Sequence, residues 1–212
     1  MTKARVNGTT SNAKGDLVVG TGSTTAAALS VGTDGYLLYA DSTQTPGVKW
    51  AAAPAAGSLT QIATGTFSGA TTTISSISQS YKSLYLTFTG VTNSDNSGYS
   101  MYLRYNSETA STYRWSLVYN GSLYSDGGTA TTGIKVGLEG FSPDTTISGT
   151  ITMPLYSVSG IKKISTFNYV DSSGYNGLGS GSTSAVTAAI TSINFITSFT
   201  FTGGTYILYG VN

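Results

Sequence analysis

From Gln61 to the C-terminus, apolar and polar positions alternate with period two, the pattern of half-buried strands. Leu84, Leu86 and Phe88 alternate with Tyr85 and Thr87, and Met101, Leu103 and Tyr105 with Tyr102 and Arg104. Tyr113, Trp115, Leu117 and Tyr119 alternate with Arg114 and Ser116, which aims Trp115 into the core. Further apolar runs cover 134–138, 147–153, 164–170, 188–201 and 206–211. Turn clusters separate them at Asn93–Gly98, Asn120-Gly121, Asp126–Gly128 and Ser172–Gly174. Asn-Gly between two alternating runs signals a hairpin, because a type I′ turn needs positive φ twice. About nine or ten short strands without a convincing helix predict an all-β fold. Residues 58–212 are therefore expected to form an antiparallel β-sandwich of jelly-roll type.

Residues 1–57 read differently. Ala51–Ser58, interrupted by Pro54, is too small-sided to build a core and reads as a linker. Large apolar residues before it are few, so this part is expected to be extended and poorly globular, ordering against trimer mates or a neighbouring protein. Its centre, Lys14–Ala51, supports a local reading as a nucleotide-binding unit. Asp16–Val19 would be a strand, Gly20-Thr21-Gly22 a glycine turn, Thr24–Leu29 a helix, and Tyr36–Tyr39 a second strand closed by Asp41 as ribose holder. Against it, the sixth fingerprint position is Thr25, the helix would have about two turns, and a parallel crossover takes a dozen or more residues. The nucleotide reading is set aside, and no cofactor is expected.

The same stretch carries five marks in order: Lys14-Gly15-Asp16-Leu17, Val19-Gly20-Thr21-Gly22, Val31-Gly32-Thr33-Asp34-Gly35, Ala40-Asp41-Ser42 and Gly47-Val48-Lys49-Trp50-Ala51. Together they resemble a module of structural, fibre-type proteins of tailed bacteriophages, including those of cyanobacteria and marine bacteria. The resemblance covers about a fifth of the chain, joined loosely by the ending Gly204–Val211. It implies a virion part, usually a homotrimer, with no catalytic residues to carry over.

Composition narrows the chemistry. Charged residues make up only 9% of the 212, and ten basic against nine acidic residues leave a net charge of +1. No broad attraction to nucleic acid or anionic membrane is expected from that balance. Fifteen Tyr and seven Phe argue for a folded chain rather than a disordered one. Cysteine and histidine are both absent. Disulfide frameworks, Cys/His zinc sites, His-dependent triads and histidine general bases are thereby excluded. Without disulfides, burial between identical subunits is the expected stabiliser. The sequence contains no apolar run long enough to span a membrane and no secretion signal at Met1–Asn7, which fits assembly in a host cytoplasm into a virion.

Few side chains suggest specific chemistry. Asn93–Gly98 has oxygen ligands at alternate positions, as calcium prefers, but lacks a closing glutamate and reads as an Asn/Asp/Gly turn. Glu108 and Glu139 are the best carboxylates for a glycosidase pair, yet nothing in the sequence brings them together. Lys162-Lys163 reads as a solvated strand end or a protein contact. Tyr102, Tyr119 and Trp115 could stack on sugar rings but compete with packing, whereas Tyr124 and Tyr175, in Gly/Ser-rich loops, are better surface candidates. No catalytic, cofactor or metal residue is assigned; the loops around Asn96, Tyr124 and Tyr175 are the candidate ligand-facing positions. The expectation is a non-enzymatic trimeric short tail or baseplate fibre, anchored to other virion proteins through residues 1–57 and displaying its sandwich to host surface glycans. Its alternatives are a trimeric capsid decoration protein and, more remotely, a polysaccharide-degrading enzyme.

Overall fold

Period-two alternation becomes antiparallel pairing throughout, with no helix among the described residues. The computed structural model describes residues 13–53, 59–94, 101–126, 129–137 and 145–212. The chain divides into two units, residues 1–56 and 57–212.

Among its described residues the first unit consists of two hairpins. Strand β1 (Leu17–Gly20) pairs with β2 (Ala26–Leu29), and β3 (Tyr36–Ala40) pairs with β4 (Val48–Ala52). Residues 24–29, read as a helix in the nucleotide alternative, contain a strand instead. Pairing of Gly20 with Ala26 and Val18 with Ala28 overrides the helix preference of an alanine run.

Among its described residues the second unit is an 11-stranded sheet curled into two layers. Its strands are β5 (Leu59–Thr66), β6 (Gly69–Ile74), β7 (Ser83–Asn93), β8 (Met101–Tyr105), β9 (Tyr113–Tyr119), β10 (Ser122–Ser125), β11 (Ile134–Gly137), β12 (Ile147–Pro154), β13 (Lys163–Asp171), β14 (Asn176–Thr183) and β15 (Ile193–Val211). The larger layer runs β10-β9-β14-β13-β12-β7-β15-β5, and the smaller runs β6-β15-β8-β11. Strand β15 belongs to both. Its first part, Ile193–Ile196, pairs with β6 and β8, and its last part, Thr205–Val211, lies between β7 and β5.

The change of layer is a corner shared by two chain segments. Thr66 pairs with Thr205 on one side, Gly69 with Phe201 on the other, and the Phe67 N–H donates to Gly204 O at 2.9 Å. Gly204 has φ +105°, and a side chain there would meet the Val91 backbone at 2.5 Å, so the bend requires glycine. Inside the bend, the Phe67 ring lies 5.2 Å from both Phe195 and Phe201 and 5.7 Å from Tyr206. The core continues between the layers through Leu86, Phe88, Leu103, Ile151, Phe167 and Leu208, all buried. Trp115 packs against this core while remaining half-buried, with Lys135 Nζ 5.6 Å from its ring centre.

Polar groups close the loops around the core. The Asn106 side-chain oxygen accepts from Thr191 N at 2.8 Å, Ser192 N at 3.2 Å and Thr191 Oγ1 at 3.2 Å, while its amide donates to Ala189 O at 2.9 Å. Its φ of +51° is one that Asn tolerates better than most residues. Asn106→Ala removes those bonds and strains the turn, so it is expected to cost roughly 1–3 kcal/mol in denaturant unfolding. A midpoint equal to wild type would show that the two loops hold without this bridge.

Lys163, expected to be solvated, is buried. Its ammonium donates to the carbonyls of Leu155 and Val158, and burial holds its pKa below the usual lysine value. The carbonyl caps are what make the charged end tolerable inside.

Candidate functional site

In the first unit, residues from four of the five sequence marks tie the fold. Asp16 Oδ2 accepts from Ala13 N at 2.9 Å and Oδ1 from Val31 N at 3.1 Å. Asp41, cast as a ribose holder in the nucleotide reading, instead caps its own turn. Oδ1 accepts from Thr43 N at 3.0 Å and Thr43 Oγ1 at 2.6 Å, and Oδ2 pairs with Lys49 Nζ at 2.8 Å. The Lys49 bond and then the Thr43 bonds lower its pKa to about 2, so this turn keeps its ion pair until strongly acid pH. The Trp50 indole N–H donates to Ser30 O at 2.9 Å, and its ring lies over Gly32.

That last contact joins the two hairpins. A Cβ at Gly32 would fall 2.6 Å from Trp50 Cγ, so Gly32→Ala must displace the indole and its hydrogen bond. Overpacking of this kind costs about 1–3 kcal/mol, a large share of what so small a unit has. The expected result is a red-shifted Trp50 emission, read in a Trp115→Phe background, with the sandwich melting transition unchanged. Unshifted emission would show that the hairpins are joined by something else.

None of the described residues in this unit is fully buried, while Val18, Val31, Tyr36, Leu37 and Leu38 are largely exposed. Among its described residues the unit has ordered turns and an ion pair but no buried interior.

In the sandwich, the candidate positions separate. Asn96 lies outside the described residues, as do Glu139 and most of the expected calcium loop. Tyr175 sits in the β13–β14 turn, 47% exposed, with its ring edge-on to Tyr119 at 6.0 Å. Tyr124, expected in a loop, is in strand β10 opposite Leu117, because the Asn120-Gly121 turn at φ +46° and +79° is tight enough to carry pairing through Ser125. The two turns meet where Asn120 N donates to Asn176 O at 3.1 Å.

A polar cluster missed from sequence lies at this end. Tyr119 OH donates to Asp171 Oδ2 at 2.9 Å, while Asp171 Oδ1 accepts from Ser173 N at 2.9 Å and Tyr175 N at 3.0 Å. Tyr119 stacks on Tyr169 at 6.2 Å. Desolvation, followed by the Asp171 bond and charge, pushes the Tyr119 phenol well above its ordinary pKa. Asp171 is thus used to fix the turn. Glu108 is used likewise, its Oε1 accepting from Ala110 N at 2.6 Å. Among the described residues, no group of three or more Asp and Glu residues could hold a metal ion. No protein-family model, curated protein or solved structure matches the chain.

Proposed function

We propose that the chain is a non-enzymatic structural protein of a tailed-phage virion, a homotrimeric short tail or baseplate fibre. Residues 1–57 anchor it to other virion proteins, and the sandwich faces host surface glycans. The observation that carries this reading is the first unit. Two hairpins are tied by Asp16, Asp41, Lys49 and Trp50, yet bury none of the described residues and expose a set of aliphatic and aromatic side chains. A unit of that kind is stabilised by the surface that covers it.

The sandwich supports the same reading through its edges. Strand β10 ends the larger layer, is exposed at every residue and carries no charge or proline. Isolated sheets usually guard such an edge, and assemblies cover it.

Light scattering on the purified chain tests the trimer, with three chains per particle expected and a stable monomer overturning it. Labelling the protein on phage particles for electron microscopy tests the placement. Label at the tail tip or baseplate is expected, whereas label over the head would transfer the assignment to capsid decoration.

A further inference from the structure

The outward face of the larger layer carries a groove of about 600 Å³ that crosses β14, β13, β12 and β7. Registry defines it. Leu178 lies opposite Asn168, Asn168 opposite Thr150, and Thr150 opposite Thr87, so these four side chains form one wall across the strands. Val170 and Ser148, also opposite one another, belong to the second wall. At strand spacings of about 4.8 Å the groove is about 14 Å long.

The lining has three properties that bear on an occupant. Among the described residues, no charged side chain touches it. Its aliphatic members, Val170 and Leu178, lie at one end and are 48% and 64% exposed, while the rest of the outward side chains carry hydroxyl or amide groups. Local bonds also orient the polar groups: Thr150 Oγ1 donates to Asn168 Oδ1 at 3.1 Å, and Ser148 Oγ accepts from Gly90 N at 3.0 Å. Those bonds leave the Asn168 amide N–H groups and the Ser148 hydroxyl hydrogen available to a ligand, already positioned.

We infer that this groove binds a neutral oligosaccharide of a few rings, with sugar hydroxyls on the Asn168, Thr150, Thr87 and Ser148 side and the apolar C–H face of a ring on Val170 and Leu178. The inference rests on the host-attachment reading above and moves its contact from the loops to the sheet. An acidic glycan would lose its water without meeting a cation in the groove. A second copy of the chain would need an apolar centre, and the centre here is polar.

The test is saturation-transfer NMR on the full chain with neutral hexasaccharides of glucose, mannose and galactose and with a galacturonate hexamer. At least one neutral probe is expected to bind, more strongly than the uronate. Asn168→Asp keeps the acceptor for Thr150 but removes the donors and adds charge, and should weaken binding at least tenfold. Val170→Trp should block the apolar end, and Tyr175→Ala should leave binding unchanged. Preference for the uronate, or binding insensitive to both groove variants, overturns the proposal. Binding lost in Tyr175→Ala alone overturns the groove while leaving host attachment standing. Absence of binding by every neutral probe also overturns it, and the virion assignment is then decided separately by location on the particle.

Discussion

Phe67→Ala is expected to cost the sandwich about 3–5 kcal/mol, the range for deleting a buried ring whose surroundings cannot collapse. The site offers little room to relax. Phe67 is 2% exposed and meets Phe195, Phe201 and Tyr206, two of them edge-on. Edge-on aromatic pairs each contribute about 0.5–1.5 kcal/mol beyond the area they bury. The backbone around the cavity is also fixed, because both segments that change layer are bonded there, Phe67 N to Gly204 O among them. Against a domain stability of about 5–15 kcal/mol, the variant is expected to be marginal at ambient temperature. Denaturant unfolding followed by circular dichroism measures it, with Phe67→Leu as a partial rescue. A loss under about 1 kcal/mol would show that the corner is held by its backbone alone.

The corner also marks where the sequence stops being readable. Runs with large residues on one face, such as Leu84-Tyr85-Leu86-Thr87-Phe88, announce their strands by alternation. Strand β14, Asn-Gly-Leu-Gly-Ser-Gly-Ser-Thr, does not. Its inward positions Gly177, Gly179 and Gly181 are covered by large side chains from elsewhere, Tyr169, Phe167 and Ile134 respectively. The apolar half of its pattern is supplied by its neighbours, so composition reads it as loop. Strand β15 is obscured for a different reason. Its apolar runs 188–201 and 206–211 read as two strands, but bulges between Phe201 and Thr205 let one strand bend between layers.

Candidate function was legible in the same uneven way. The marks between Lys14 and Ala51 stood out because Gly, Asp and Trp are demanding residues, and several of them hold the unit together. Gly32 lies under Trp50, Asp16 accepts from Val31 N, and Asp41 ties Thr43 and Lys49. Sequence could not say whether those demands came from a ligand or from the fold, since a glycine turn followed by an acid serves both. The Tyr119–Asp171 cluster and the cross-strand groove were invisible because each joins residues more than 50 positions apart or in separate strands. Only registry brings them together.

Alkaline pH is expected to unfold the sandwich over a narrow window, because four tyrosines cannot ionise in place. Desolvation raises the pKa of Tyr105, Tyr113, Tyr119 and Tyr156 above the ordinary value of 10. For Tyr113 it reaches about 12. A folded pKa above the unfolded one means that the stabilisation is complete below pH 10 and is lost as pH rises through the folded pKa. Tyr113 alone would forfeit about 3 kcal/mol across that interval. Lys163 acts in the opposite sense. Its lowered pKa makes stability rise slightly as pH approaches 10.5, so the profile should climb gently and then fall steeply. The geometry behind the fall is specific. Tyr105 OH meets Ser165 Oγ and Tyr105 N donates to Tyr113 OH at 3.0 Å inside the core, while Tyr119 OH donates to Asp171 and Tyr156 OH to Ser78 O, so the last two lose a bond with their protons. Absorbance at 295 nm, recorded with circular dichroism, should show these four phenols ionising only as structure is lost. Simple titration of all 15 tyrosines near pH 10, with the sheet signal retained, would show that these phenols are not held in the core.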